Sequence, residues 1–274
     1  MEALLDPIIL GQLLIGGLLA GALYALLACG LNLVFGVMRI INLAHAEFML
    51  VGAFGAYVLY TWVGLHPLLA LLVVVPAIFL FGFFTQRALV ERVVGRPLLT
   101  SLLATYGLSI VLLNIGLLLF TSDFKSVPVL QGSFVYGEFV LPKPRAAAAL
   151  VSLLFTVGVY LFLERTRLGK AIRAVSEHPH VATICGIDTQ RIRMITFGLA
   201  AAMAGAAGVM LSMIYSFWPG SGADFILKCF AIIIIGGMGN FLGALYGGIL
   251  LGVVEAFVGG ALTTQWAEAT AYLL

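Results

Sequence analysis

Residues 164–194 read ERTRLGKAIRAVSEHPHVATICGIDTQRIRM. This stretch carries six of the chain's 14 basic residues, Arg165, Arg167, Lys170, Arg173, Arg191 and Arg193, and long apolar runs flank it on both sides. A charged segment between two apolar stretches of helix length is the pattern of a loop between membrane spans. The rest of the chain agrees. Of 274 residues, 62% are hydrophobic and 9% charged, and the mean hydropathy is +1.16. A soluble domain carries about 25% charge, so a water-soluble fold is excluded. The 32 glycines fit closely packed membrane helices. A net charge of +2 is too small for a nucleic-acid partner. Cys29, Cys185 and Cys229 lie far apart and suggest neither a disulfide framework nor a metal site.

Working outward, apolar segments bounded by charge, Pro or Gly predict spans near 8–35, 43–61, 68–86, 98–120, 146–163, 192–215, 226–239 and 243–260. The expected fold is an all-α polytopic membrane protein, a single transmembrane domain over 1–274 with about eight spans. Some spans are expected to be discontinuous, the first breaking around Gly30–Gly36. The first basic residue is Arg39, so the N-terminal run lacks the basic start of a secretory signal and reads as a retained span. Loop 87–96, with Arg87, Arg92 and Arg96, and loop 164–193 lie two spans apart, and both are assigned to the cytoplasm. Loop 121–145 and the N-terminus are then outside. The outer loop alternates apolar and polar residues around Gln131-Gly132, a hairpin signal that fits a compact cap or a docking surface.

Within 164–193, Ser176 or His178 precedes Pro179, and Pro favours the first turn of a helix. Gly186 is a helix stop, and Asp188 can cap the span that follows. One short surface helix near 178–185 is expected. By spacing alone it is either a lever gripped by a soluble motor or a basic loop resting on anionic headgroups.

At this segment the sequence resembles a known family. Ala174, Val181, Ala182, Gly186, Ile187 and Asp188 form A-x6-V-A-x3-G-I-D, which is similar to the coupling segment of ABC importer permeases of the branched-chain amino acid type, with Val181 where many members have Ala. Gly36-Val37-Met38 with Ile41-Asn42-Leu43-Ala44-His45 resembles a second family signature, with Ala46 where members have Gly. Ile235-Gly236-Gly237-Met238-Gly239-Asn240 resembles a third, and Phe197–Gly208 resembles the span after the coupling loop. The resemblance covers nearly the whole chain and is closest to the shorter of the family's two permease subunits. It implies an alternating-access importer in the bacterial inner membrane. The implied partners are a second permease subunit in a heterodimeric pair, two cytoplasmic ATPases, an external substrate-binding protein and lipid. Coupling falls to Glu177, His178, Pro179, Val181, Ala182, Gly186 and Asp188. ATP and Mg belong to the partner ATPase, because no G-x4-G-K-[ST] sequence occurs here, and no cofactor is expected in this chain. Family members continue into one more apolar span than this sequence shows.

Polar residues in apolar segments are the candidates for a translocation pathway: Asn32, Asn42, His45, Glu47, Asn114, Asn240 and Glu255. Each has a plainer alternative. His45 and Glu47 could be solvated near the headgroups, Asn32 and Asn114 could join helices, and Lys228 could snorkel. Glu255 has no partner nearby in sequence. It could pair across a subunit interface or line a wet path. Asn42 and Asn240 each follow a Gly- and Met-containing break and begin similar apolar stretches, a weak internal repeat. Gly16-Gly17, Ala20-Gly21 and Gly198, Ala202, Gly205, Gly208 are read as helix-packing faces. Trp62, Trp218 and Trp266 fall at outer span ends. No catalytic or metal-binding constellation is found. The rival function is a stand-alone ion-coupled transporter or channel for small polar solutes.

Overall fold

The computed structural model describes residues 6–262 and 264–273. Eleven helices and one β-hairpin are present among them. Helix α1 (Pro7–Met38) starts where Asp6 Oδ1 accepts the Ile8 N–H at 2.9 Å and stops where Arg39 turns left-handed at φ 51°. Its 32 residues span ~48 Å at 1.5 Å per residue, well beyond the ~30 Å of hydrocarbon. The break expected at Gly30–Gly36 does not occur, and the helix is continuous to Met38. Without water to compete for the backbone, helix hydrogen bonds survive at glycine in a membrane. Here these glycines admit neighbours instead. A Cβ on Gly30 would sit 3.1 Å from the His45 ring, and one on Gly36 would lie 3.3 Å from the Gly239 Cα.

Six further long helices follow: α2 (His45–Val63), α3 (Pro67–Ala88), α4 (Leu98–Phe120), α5 (Lys143–Arg165), then, after two shorter ones, α8 (Thr189–Ile214) and α10 (Phe241–Ala261). The shorter pair is α6 (Arg167–Glu177) and α7 (Pro179–Ile184). Helix α9 (Gly222–Gly236) starts four residues before its predicted span and is extended by a 3-10 turn at Pro219–Ser221. Among the described residues, eight helical segments are long and apolar enough to cross a membrane, and the chain is a multi-pass membrane protein. A further helix, α11 (Thr264–Leu273), was not anticipated.

Helix α8 is the centre of the bundle. In its most apolar window 89% of residues are buried, against 6% for α4. Small residues make this possible. Gly198 lies against the Phe79 carbonyl of α3, Gly205 against Ile78, and a Cβ on Gly208 would collide with the Met49 carbonyl of α2. On α1, Gly17 and Gly21 meet the α10 backbone at Val253 and Ile249. The small-residue faces are therefore packing faces, as expected, although Gly16 itself meets nothing within 4 Å.

The helices alternate in direction, so the connections collect at two ends. One end holds 39–44, 89–97, 166–188 and 237–240, tied together by Ser176 Oγ donating to the Gly36 carbonyl (2.8 Å) and by the Arg193–Glu91 ion pair. Arg39, Arg87, Arg92 and Arg96 join the six basic residues of 164–194 there, making it the basic end. At the other end, Lys125 and Phe217 exchange backbone hydrogen bonds at 2.8 and 2.9 Å. The Thr121 hydroxyl and the Lys125 ammonium hold the Asp123 carboxyl below its usual range. The hairpin pairs β1 (Ser133–Tyr136) with β2 (Phe139–Pro142), Tyr136 opposite Phe139. The turn is therefore Gly137-Glu138 rather than Gln131-Gly132, since Gly137 takes the positive φ of 62° that a tight hairpin needs. Gln12 fixes the hairpin to α1, donating to the Val140 carbonyl (2.7 Å) and accepting its N–H (3.1 Å).

Candidate functional site

The basic end carries a surface element, and its construction follows from local chemistry. Thr166 caps α6 by accepting the Gly169 N–H at 3.0 Å. Gly169 is required there, because a Cβ would run into the Phe162 and Leu163 carbonyls. Ile172 and Val175 are buried beneath α6 and hold it against the bundle. Arg173 and Glu164 pair at 2.5 Å across the α5–α6 corner. The helix ends at His178, and α7 restarts at Pro179. The 164–193 segment thus holds two consecutive helices, not the single short helix expected. The unanticipated α6 is strongly amphipathic and connects α7 to the bundle.

Helix α7 closes as the sequence indicates. Gly186, at φ 82°, donates to the Thr183 carbonyl, and the Ile187 N–H reaches the Ala182 carbonyl, both at 3.0 Å. Asp188 then caps α8 through the Arg191 N–H at 3.0 Å. Ala182 is 4% exposed and faces inward, whereas Val181 is 54% and Ile184 74% exposed. Glu177, His178 and Pro179 are exposed beside them. The element presents an apolar tip with polar neighbours. Ile184, the most exposed apolar side chain on it, carries no motif signal, and only the helix register identifies it.

Behind this element the α9–α10 break lies against α1. The Asn32 amide donates to the Gly237 (3.3 Å) and Asn240 (2.6 Å) carbonyls, and its Oδ1 accepts the Gly239 N–H (2.6 Å). One side chain thus satisfies three backbone groups freed by the break. Asn240 caps α10 through the Gly243 N–H at 3.1 Å. A cavity of about 420 Å3 opens here, lined by Asn32, Tyr160, Arg173, Ser176, Asn240 and neighbours. Ser176 connects the surface element to this region through Gly36.

The remaining candidates separate. Asn42 is buried and accepts the Ala44 N–H (3.2 Å) just before α2. Thr105 of α4 pins the same crossing by donating to the Ile41 carbonyl (2.9 Å). His45 and Glu47 are 1% and 6% exposed, so neither is solvated at a surface. The reason is that 39–44 folds back into the bundle, so that α2 begins beside the middle of α1. The His45 Nε2–H donates to the Leu27 carbonyl at 3.0 Å, and Glu47 Oε1 accepts from the Ser109 hydroxyl at 3.1 Å. Asn114 is exposed and bonds to its own helix at the Ile110 carbonyl. Glu255 pairs with Lys228 at 2.9 Å, and Lys228 also donates to the Tyr24 hydroxyl at 3.1 Å. Lys228 therefore does not snorkel, and Glu255 has its partner within the chain, 27 residues away on the neighbouring helix.

Comparison with known proteins is consistent with this architecture. The family model described as "Branched-chain amino acid transport system / permease component" matches residues 13–274. The chain is 34% identical to the high-affinity branched-chain amino acid transport system permease protein BraD of Pseudomonas aeruginosa, over 95% of this chain and 90% of that protein. It is 30% identical to the corresponding permease protein LivH of Escherichia coli, covering 96% and 90%, and 31% identical to the probable LivH of Methanocaldococcus jannaschii, covering 90% and 80%. With the family signatures on a continuous bundle of eight membrane helices, the chain belongs to the permease components of branched-chain amino acid transport systems.

Proposed function

We propose that the chain is one membrane-spanning subunit of an ATP-driven importer for branched-chain or closely related amino acids in a bacterial inner membrane. The basic end faces the cytoplasm and the hairpin faces outward. A second permease subunit completes the path in a heterodimeric pair. Two cytoplasmic ATPases supply ATP and Mg chemistry, and an external binding protein delivers cargo onto the hairpin end, where Phe134, Val135 and Tyr136 are exposed. This chain performs no covalent step.

One observation carries the reading. The α6–α7 element offers exposed Val181 and Ile184 to a partner while its inner face is anchored on the bundle. A partner that grips α7 therefore pulls on α6. Ser176 passes the pull to the end of α1, and Asn32 passes it to the α9–α10 break through its three backbone hydrogen bonds. Glu177, His178, Pro179, Val181, Ala182, Gly186 and Asp188 act in shaping or presenting that grip. The polar groups Asn32, Asn42, His45, Glu47, Asn114 and Asn240 are the pathway candidates, whereas Glu255 is taken up by Lys228.

The test is reconstitution of the permease pair with its ATPases and binding protein in vesicles. Substrate-stimulated ATP hydrolysis with amino acid uptake is the expected result. Uptake by this chain alone, driven by a proton or sodium gradient, overturns the reading.

A further inference from the structure

Helices α2, α3 and α4 line an open cleft of about 630 Å3, within the size range of small-molecule sites. Its walls are aliphatic and aromatic, including Leu50, Phe54, Val74, Ile78 and Ile115. Glu47 is the one polar residue among those that line it. The only hydrogen bond to the Glu47 carboxylate among the described residues comes from Ser109, and no Lys, Arg or His lies within ion-pairing distance. The carboxylate also lies over the first turn of α9, where a Cβ on Gly222 would sit 2.9 Å from Oε1. The positive end of a helix offsets part of a negative charge, but it does not supply a full cation. The contrast with Glu255 is direct, since that carboxylate has an ammonium at 2.9 Å. A buried acid at the end of an apolar cleft, without a cation of its own, has the chemistry to take one from outside.

We propose that this cleft binds an aliphatic ammonium, with Glu47 receiving the cation and the α2–α3–α4 walls receiving the hydrocarbon chain. The recognised feature is an ammonium on a hydrocarbon chain, since no Lys, Arg or His among the described residues stands beside Glu47 to receive a carboxylate as well. The binding chemistry does not rest on the import reading. Ser109 is a positioning residue that holds the carboxylate toward the cleft.

The test uses the intact assembly in lipid nanodiscs. Exposed Cys185 is replaced (Cys185→Ala), and Ile115→Cys places a thiol in the cleft wall. Maleimide labelling of this chain is read by intact mass in the presence of 3-methylbutylamine or of 4-methylpentanoate, which carry similar aliphatic chains on opposite charges. The amine slows labelling about tenfold when it exceeds its dissociation constant about tenfold, the carboxylate leaves the rate unchanged, and Glu47→Gln abolishes the protection. Protection by neither compound, by both equally, or by the amine in the Glu47→Gln assembly each overturns the proposal. The comparison of the two compounds needs no change at Glu47, so a Glu47→Gln chain that fails to assemble leaves it decisive. Substrate-stimulated ATP hydrolysis is measured on the same preparation. Amine protection without it sinks the import reading alone, and its presence without protection sinks the cleft alone.

Discussion

Replacing Lys228 by Met leaves Glu255 buried in the bundle without a cation. The pair lies 2.9 Å apart, the two side chains are only 14% and 11% exposed, and the ammonium also bonds to the Tyr24 hydroxyl and lies 4.9 Å from that ring's centroid. Breaking a buried pair from one side costs about 3–5 kcal/mol, mostly through the stranded charge, whereas replacing both members with apolar groups of similar size is close to neutral. Lys228→Met and Glu255→Met should each therefore lower the folded-to-unfolded ratio by about a hundredfold or more, since 1.4 kcal/mol is a factor of ten. The double variant should return to within about 1 kcal/mol of the parent. Reversible unfolding in mixed micelles with rising SDS gives all four corners of the cycle. The reasoning is refuted if Lys228→Met costs under ~1 kcal/mol, in the range of a solvent-exposed pair, or if the single costs simply add. Transport gives a second readout. A structural clamp predicts that the double variant still imports. If it folds but does not import, Glu255 is part of a charge relay and the clamp interpretation is wrong.

Three further outcomes follow from the geometry. Ile184→Glu puts a charge on the most exposed apolar position of α7, so it should leave the permease folded while lowering ATPase co-purification and stimulated hydrolysis severalfold; unchanged co-purification would place the grip elsewhere. Gly208→Val forces a branched side chain into the Met49 carbonyl of α2 and should destabilise by more than ~4 kcal/mol, seen as loss of the monodisperse peak in detergent. Asn32→Ala strands the Gly237 and Asn240 carbonyls and the Gly239 N–H, at about 1–3 kcal/mol for each group that stays dry. Uptake should fall more than ATP hydrolysis in that variant, because the break is loosened while the motor's grip is intact; equal losses would argue against transmission through Asn32.

What was legible in the sequence depended on how local the signal was. Span number and position came from runs of apolar residues, and the ends of α7 came from Pro179, Gly186 and Asp188, each acting within a turn of itself. Helix α6 was missed because its buried side chains, Ile172 and Val175, sit among Arg167, Lys170 and Arg173, and charge density alone reads as loop. The expected break at Gly30–Gly36 failed for the opposite reason. Glycine marks weakness in a soluble helix, but here the relevant fact is what the missing Cβ lets in, the His45 ring and the Gly239 backbone, and both arrive from distant sequence. The Gln131-Gly132 turn lost to Gly137-Glu138 because the pairing of Tyr136 with Phe139 sets the register, and both turns offer a glycine able to take a positive φ. Glu255 was undecidable because its partner on α9 lies 27 residues earlier, across a break whose geometry no periodicity reveals.

The placement of polar groups bears on where the energy for transport enters. An ion-coupled carrier must expose intramembrane acids that can gain and lose a cation during each cycle. Among the described residues, Glu255 is locked to Lys228, Asn32 is saturated by three backbone partners, and His45 is fixed on the Leu27 carbonyl. Moving any of these groups costs the bonds that hold it. Glu47 alone is buried, charged when ionised and without a cation, and its surroundings are aliphatic, suited to an organic ammonium rather than to a small inorganic ion, which would need several oxygen ligands. Asn32 ties the α9–α10 break to α1, and the hydrogen-bonded route from there to an accessible surface runs through Gly36 and Ser176 to α6 and α7. This arrangement supports the proposal that the work enters at the basic end, from outside the membrane.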